Sequence, residues 1–335
     1  MKKSRYLLVA LVLMLLAGAS AAQLRQVAII DIPGNPGFDS LAFANGHLVI
    51  AHRGANAVDI FDPAKRRLKV QVSGMSDPRG IAVDEAGKRV YVANAGSNSL
   101  AVLSTQDWKV EETISLPHSP AALLLAGSRL YVANWRDSSV SVFDIGRHAV
   151  AATVDVGGRP QQMVFDPIGQ VAFVNVEDRH EVVALGPDHR IAKRFRLAGS
   201  QPTGIAIDPK FRRLFVAVRY AVLVLDAGSG SEVARIPAAA GIDRLWFDES
   251  NGSLYAAASD GSVNMIRTQG EQFMSEHELQ TQVRGHSLAF DAAKKMVYMP
   301  GGREGRSKLV ILKRVENGAA ANPNLPQVAT AERER

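Results

Sequence analysis

Residues Pro78 to Leu116 read PRGIAVDEAGKRVYVANAGSNSLAVLSTQDWKVEETISL. This stretch contains four short runs rich in apolar and β-branched residues, GIAVD, RVYVAN, SLAVLS and VEETISL. Turn-forming segments separate the runs, and apolar residues alternate along them with the period of two that is typical of strands. Four strands joined by short turns predict one antiparallel four-stranded sheet for this stretch.

The same pattern recurs along the chain at a near-constant spacing. The position of Tyr91 is a convenient marker, and its equivalents follow one another at intervals of 40 to 43 residues: Val49, Tyr91, Tyr131, Phe173, Phe215, Tyr255 and Tyr298. Four strands in a repeat of this length are typical of a β-propeller blade. The runs are too short for the helices of an α-solenoid. The repeats therefore predict an all-β fold with seven blades.

The two ends of the repeat array complement each other. The last copy stops at SKLVILKRV (Ser307 to Val315), which corresponds to the third strand of a repeat. The missing fourth strand has a counterpart near the N-terminus, where RQVAIIDIP (Arg25 to Pro33) resembles KVEETISLP (Lys109 to Pro117). We therefore expect a seven-bladed β-propeller of four-stranded antiparallel blades, in which the N-terminal strand supplies the last strand of blade seven. This closure removes both exposed strand edges.

The repeat boundaries divide the chain into three parts. The propeller is predicted over residues 23–315, with blades near residues 38–77, 78–119, 120–159, 160–201, 202–241, 242–284 and 285–315 plus 24–33. Residues 316–335 are rich in Ala, Asn, Pro and charge and predict a flexible tail. Residues 1–22 predict a signal peptide, because a basic segment precedes the apolar stretch LLVALVLMLL and an A-x-A cleavage site. We therefore expect a periplasmic or secreted protein without a membrane span after cleavage.

The composition excludes several classes of function. The chain of 335 residues contains no cysteine, which excludes disulfides, thiolate-bound zinc, iron–sulfur clusters, a catalytic thiol and a lipoprotein anchor. The formal net charge is +6, of which the leader contributes three positive charges. The remaining excess is too small to indicate nucleic-acid binding by itself. The sequence also lacks the G-x-S-x-G, P-loop, H-E-x-x-H and C-x-x-C-H motifs.

Two of the repeats carry the motif YVAN, at Tyr91 to Asn94 and at Tyr131 to Asn134. With repeats of about 40 residues, the chain resembles the YVTN-repeat (YncE-like) β-propeller family over nearly its whole mature length. Copies four to seven depart from the motif and read FVNV, FVAV, YAAA and YMPG. The resemblance implies the seven-bladed fold. It also implies a range of functions, since the family includes binding proteins, surface proteins and enzyme-associated subunits.

One repeat position varies where packing would favour similar residues. It lies just inside the first strand of each blade, at the expected mouth of the central channel, and reads Asp39, Arg79, Ala121, Gln161, Thr203, Asp243 and His286. Blades six, seven and one are consecutive in a closed ring, so Asp243, His286 and Asp39 are expected to be neighbours. Two carboxylates around an imidazole could bind a divalent metal or raise the pKa of the histidine for acid–base catalysis. The alternative is a ring of ion pairs, including Arg79 with Asp39, that plugs the channel.

The loops after the second strand of each blade are expected at the same end of the channel. They carry arginines with aromatic residues and a histidine, a composition typical of recognition surfaces: Arg53, Trp135, Arg136, Arg179, His180, Arg219, Tyr220, Arg303 and Arg306. Acidic residues in the same loops favour internal pairing instead: Asp137, Glu177, Asp178 and Glu304. We interpret this end of the propeller as a ligand-binding face.

Three functions remain open at this point. The first is a monomeric binding module that recognises a partner protein or an anionic small molecule or polymer on this face. The second is a propeller enzyme of the lactonase, lyase or hydrolase type, with Asp243, His286 and Asp39 as catalytic candidates. The third, suggested by the family resemblance, is binding of single-stranded nucleic acid. The residues indicate no cofactor beyond the alternative of a divalent metal at the Asp–His–Asp cluster.

Overall fold

The computed structural model describes residues 22–117, 119–270 and 272–316. The predicted signal peptide and tail lie outside these residues, except for their boundary residues Ala22 and Glu316, and both stay predictions. Within the described ranges, no helix has the length and apolar character needed to cross a membrane.

The described residues form 28 strands, numbered in chain order. Blade one contains β2 (Leu41–Ala44), β3 (His47–His52), β4 (Ala57–Asp62) and β5 (Arg67–Ser73). Blade two contains β6 (Pro78–Asp84), β7 (Arg89–Asn94), β8 (Ser99–Ser104) and β9 (Val110–Ser115). Blade three contains β10 (Pro120–Ala126), β11 (Arg129–Asn134), β12 (Ser139–Asp144) and β13 (Ala149–Asp155). Blade four contains β14 (Pro160–Asp166), β15 (Val171–Val176), β16 (Glu181–Leu185) and β17 (Ile191–Arg196).

The remaining blades repeat this plan. Blade five contains β18 (Ile205–Asp208), β19 (Arg213–Val218), β20 (Ala221–Asp226) and β21 (Glu232–Pro237). Blade six contains β22 (Leu245–Asp248), β23 (Ser253–Ala257), β24 (Ser262–Gln269) and β25 (Gln272–Gln280). Blade seven contains β26 (Ala289–Asp291), β27 (Met296–Arg303), β28 (Arg306–Glu316) and β1 (Ala22–Ile32). Single turns of 3₁₀ helix occur at Arg53–Ala55 and Glu177–Arg179.

Blade seven closes the ring with strands from both ends of the chain. Its strand order is β1-β28-β27-β26, whereas the other six sheets are simple meanders. Strand β1 pairs antiparallel with β28, from Ala22 opposite Glu316 to Ile32 opposite Ser307. The predicted fold class, a seven-bladed propeller closed by the N-terminal strand, is confirmed.

The core lies between neighbouring blades. The marker position on the second strand is buried in every blade, because its side chain packs against the sheet of the adjacent blade. Phe215 stacks on Phe247 of blade six with ring centroids 5.4 Å apart, and Tyr255 stacks on Phe290 of blade seven at 4.3 Å. These contacts explain why an aromatic residue recurs in the repeat: one large side chain fills the gap between two twisted sheets.

A recurring aspartate ends the first strand of five blades and forms the turn that follows. One carboxylate oxygen accepts a hydrogen bond from a backbone N–H two or three residues later, at 2.8–3.0 Å, in each of Asp84, Asp166, Asp208, Asp248 and Asp291. This is the local pairing by which aspartate stabilises turns. The repeated aspartates therefore have a structural role.

A buried histidine fastens the closing segment to blade one. His52 Nδ1 lies 2.7 Å from the carboxylate of Asp59, and both side chains are fully buried. Nε2 of the same ring donates to the carbonyl of Asn35 at 2.8 Å, and Ser307 of blade seven donates to the carbonyl of Gly34 at 2.9 Å. Both ring nitrogens therefore have hydrogen-bond partners, which fix the orientation of the buried ring. This cluster, the His52 clasp, joins blade seven to blade one.

Candidate functional site

The mouth face is the end of the propeller where the loops after each second strand and before each first strand meet. In an antiparallel meander these two kinds of connection lie at the same end of the sheet. Of the seven varied positions at this end, Ala121 is buried and the other six are half-buried: Asp39, Arg79, Gln161, Thr203, Asp243 and His286. Each of these six side chains makes a polar contact or interacts electrostatically with a neighbour.

The structure places Asp243 and His286 in direct contact. Nδ1 of His286 lies 2.8 Å from a carboxylate oxygen of Asp243, and the two side chains are 36% and 37% exposed. The backbone N–H of Asp243 also donates to the carbonyl of His286 at 3.0 Å, so the pair is fixed by the junction of blades six and seven. The imidazole hydrogen bond raises the pKa of His286, and Asp39 contributes to it from blade one.

Asp39 is the carboxyl group at the mouth whose pKa is shifted most. Burial, followed by the nearby charge of Asp243, raises the pKa of Asp39 from 3.8 to about 6, against the opposing effects of His286, Arg79 and Arg53. Native Asp39 therefore keeps a proton that the unfolded chain has already lost between pH 3.8 and about 6. This carboxyl makes the folded state less stable as the pH rises through that interval.

His286 shows the opposite balance of burial and charge. Burial alone would lower its pKa, but the hydrogen bond and charge of Asp243, together with Asp39, outweigh burial and raise it above 6.5. His286 is therefore an imidazolium at pH values below its raised pKa, and it loses its proton as the pH increases through that pKa. A bound metal would have the reverse effect, because it needs neutral imidazole.

We expect an NMR titration to show His286 protonated to a higher pH than a free histidine. Asp243→Asn should lower its pKa, because the variant removes the hydrogen-bonded negative charge. Asp107→Asn, which removes an exposed carboxylate from the opposite end of the propeller, is the matched control and should leave His286 unchanged. A pKa of 6.5 for His286 in the parent protein, unaffected by Asp243→Asn, would contradict this electrostatic description of the cluster.

Arg79 does not pair with Asp39 as the ion-pair alternative expected. Its guanidinium binds Asp77 at 3.0 Å, and the same carboxylate accepts from Nε of Arg53 at 2.6 Å. Asp77 lies in a turn with a positive φ of 49°, which aims its carboxylate between the two arginines. The prediction of an Arg79–Asp39 ion pair is therefore wrong. Arg79 binds Asp77 because this carboxylate lies two residues away in the same loop, whereas Asp39 belongs to the next blade.

Arg244 is a mouth residue that the sequence reasoning missed. Its Nη1 donates to the carbonyl of Leu41 at 2.9 Å. Blade seven separates the blades of these two residues, so the guanidinium reaches across the mouth of the channel. Burial lowers the pKa of Arg244, opposed by the charges of Asp39 and Asp243. The sequence indicated that Arg244 is unusual, because the other six copies of the repeat have Ser, Gly, Ala or Gln at the equivalent position.

The metal alternative gains no geometric support. Among the described residues, no group of three or more histidine and acidic side chains is arranged to hold a metal ion. Asp243 already occupies Nδ1 of His286. A divalent metal at this cluster stays a prediction.

Three of the six arginines predicted in the loops of the mouth face have internal partners. Arg53 binds Asp77, Arg303 lies 3.4 Å from Glu304, and Arg179 donates to the carbonyl of Gly157 at 2.7 Å. Three exposed arginines make no ion pair with any described residue: Arg136, Arg219 and Arg306. These three guanidiniums can bind an external anion without losing an internal carboxylate.

Two aromatic rings on this face each lie close to an arginine guanidinium. Arg219 lies 5.3 Å from the ring of Tyr220, and Arg159 lies 5.2 Å from the ring of Trp135. The Tyr220 side chain is 61% exposed. Arg159, which the sequence reasoning did not select, also lies 3.5 Å from Glu177.

A pocket of about 400 Å³ opens between blades four, five and six. We call it the Thr203–Arg219 pocket, and its polar lining includes Glu177, Gln201, Thr203, Arg219 and Ser259. The carboxylate of Glu177 accepts a hydrogen bond from Nε2 of Gln161 at 2.8 Å. The pocket thus offers one unpaired guanidinium, two hydroxyls and an amide beside the exposed ring of Tyr220, a set of groups suited to a polar ligand with negative charge.

These features define a seven-bladed β-propeller with a polar channel mouth. Its fold is similar to a chain of the structure entitled "Kuenenia stuttgartiensis Hydrazine Synthase", with a TM-score of 0.73 over 86% of this chain and 97% of that chain. The two sequences are 14% identical, so this similarity concerns the fold alone. The sequence matches no protein-family model and no curated protein.

Proposed function

We propose that the protein is an extracytoplasmic, monomeric binding module of the YVTN-repeat (YncE-like) type, which recognises an anionic ligand or an acidic partner protein on the mouth face. The propeller supplies a rigid ring, and the variable loops at one end supply the contacts. Such a division between scaffold and loops is common in binding proteins. The motif YVAN and the repeat length support the family, and the apolar leader supports the location.

The observation that carries this proposal is the unpaired guanidinium of Arg219 at the edge of the Thr203–Arg219 pocket. An exposed arginine without a carboxylate partner can bind an anion by charge-assisted hydrogen bonds at no internal cost. Tyr220 adds an aromatic surface that is already 61% exposed. Rigid aromatic residues beside arginine are the usual anchors of recognition surfaces. Arg136 extends the positive surface toward blade three.

Replacing Arg136 and Arg219 together with Ala should weaken binding of polyphosphate by roughly tenfold or more, since each lost charge-assisted bond contributes about 1.5–3 kcal/mol. The salt dependence of binding should also decrease, because fewer counterions are released. The free energy of unfolding should change by about 0.5 kcal/mol or less, as both side chains are exposed. Fluorescence anisotropy of the labelled polymer and urea unfolding are the measurements.

The matched control is the double variant Arg67→Ala and Arg147→Ala, which removes the same charge from the opposite end of the propeller. A thymidine oligonucleotide tests the single-stranded nucleic-acid alternative with the same proteins. Tighter binding of the oligonucleotide than of polyphosphate at equal charge would favour that alternative, with base stacking on Tyr220 and Trp135. Equal loss of binding in both double variants would show that the interaction is not confined to the mouth face.

A specific observation also favours acid–base catalysis as a second candidate function. Asp39 has a pKa of about 6, and it shares the channel mouth with the Asp243–His286 pair. A carboxyl with a pKa of about 6 beside an imidazole with a raised pKa is suited to proton transfer in a lactonase, lyase or hydrolase reaction. A His286 that titrates at its ordinary value would remove the support for this candidate.

A further inference from the structure

A second pocket, of about 460 Å³, lies at the outer edge of blade four on the mouth face. We call it the blade-four pocket. Its side chains come from the turn after β15 and from the two outer strands: Arg179, His180, Glu181, Arg194, Arg196 and Leu197. None of its lining residues belongs to the Thr203–Arg219 pocket. Within the described lining, three arginines face a single acidic residue.

The single carboxylate is already used. Glu181 is buried and accepts a hydrogen bond from Nη1 of Arg194, which also donates to the carbonyl of Val156 at 3.0 Å. Arg196 is directly opposite Glu181 in the pairing of β16 with β17, yet it makes no ion pair with any described residue and is exposed. Three guanidiniums against one carboxylate leave two positive charges uncompensated in the pocket.

The hydrogen-bonding groups of the pocket are oriented as donors. The backbone N–H of Gln201 donates to Nδ1 of His180 at 3.2 Å, so Nε2 is the ring nitrogen that carries the hydrogen. Nε of Arg179 donates to the carbonyl of Gly157 at 2.7 Å, which fixes the plane of the guanidinium and leaves its two Nη groups as donors. Several fixed N–H donors with an excess of two positive charges match a tetrahedral oxyanion.

We propose that the blade-four pocket binds the phosphate or sulfate group of a small monoester, with its organic part against Leu197. The volume is within the range of small-molecule sites, and it exceeds what a bare ion needs. This proposal goes beyond the function placed at the Thr203–Arg219 pocket. The two sites can be tested separately, because they share no lining residue.

The test is an NMR titration of the protein, labelled with ¹⁵N-histidine, with phenyl phosphate and, in a second arm, phenyl sulfate. Binding should shift the ring nitrogen signals of His180 and leave those of His148, which lies at the opposite end of the propeller, unchanged. Arg196→Gln should weaken the affinity by roughly tenfold, the usual cost of one charge-assisted contact. Arg196 is exposed and unpaired, so this variant should remain folded.

Arg190→Gln is the matched control, since it removes one exposed arginine from the turn that precedes the same outer strand. It should bind phenyl phosphate as the parent protein does. The Arg136→Ala and Arg219→Ala double variant should also retain this binding, which separates failure of this site from failure of the proposed function. The proposal is overturned if the His180 signals do not move, if Arg196→Gln binds normally, or if Arg190→Gln loses affinity equally. Comparison of the two arms decides between phosphate and sulfate esters.

Discussion

A chain that lacks residues 23–34 should lose cooperative thermal unfolding and aggregate. The deletion removes most of β1, which pairs with β28 along its length and buries Leu24. It also removes the Gly34 carbonyl that Ser307 binds. Strand β28 would become an exposed edge, and such edges pair with other chains. Differential scanning calorimetry with light scattering measures both effects.

The control for this deletion is a chain without residues 317–335, the predicted tail. We expect its melting temperature to match that of the full chain. A chain without residues 23–34 that unfolds cooperatively at the parent temperature would contradict closure of the ring by β1. Equal destabilisation by both deletions would also contradict it.

Asp59→Ala should lower the free energy of unfolding by about 3–5 kcal/mol, the usual cost of removing one partner of a buried histidine–carboxylate pair. The variant leaves the His52 ring fully buried, with Nδ1 facing a cavity instead of its partner. It also removes the acceptor of the Gln71 amide, which binds Asp59 at 2.7 Å and the carbonyl of Pro33 at 3.1 Å. Urea unfolding monitored by circular dichroism gives the difference.

An exposed histidine–carboxylate pair provides the comparison. His148 and Glu112 are 3.0 Å apart with side chains 49% and 41% exposed. Glu112→Ala should cost about 1 kcal/mol or less, as exposed ion pairs do. Replacing both clasp residues, as in His52→Phe with Asp59→Leu, should recover part of the stability lost in Asp59→Ala, because no charge then stays buried. Similar costs for Asp59→Ala and Glu112→Ala would show that the clasp does not hold the closing segment.

The sequence predicted the fold because the repeat carries its own constraints. An aromatic residue at the marker position fills the same gap between blades in six of the seven copies, and the recurring aspartate forms the same turn in five, so the copies confirm one another. The partner strand for β28 was predictable for the same reason, since RQVAIIDIP matches the fourth strand of another repeat. Period and turn chemistry depend on residues close together in the chain.

The candidate site was only partly predictable. Contact between Asp243 and His286 follows from one repeat position in two consecutive blades, and the proximity of Asp39 follows from ring closure. The partners of Arg79 and Arg244 do not, because a long guanidinium can reach carboxylates or carbonyls in several blades, and the choice depends on local turn geometry. The clasp at His52 was not predictable either. Besides the Asp59 carboxylate, its acceptors are main-chain carbonyls of residues 34 and 35, and any sequence presents carbonyls.

Anions are proposed to bind the mouth face through arginines that have no internal carboxylate partner. Arginine-specific labelling with phenylglyoxal, quantified by peptide mass spectrometry with and without polyphosphate, tests this binding directly, because every arginine reports in one experiment. We predict that polyphosphate slows the labelling of Arg136 and Arg219, and that Arg67 and Arg147 at the opposite end react at unchanged rates. Equal protection at both ends, or labelling of Arg136 and Arg219 that polyphosphate does not slow, would contradict the proposed binding face.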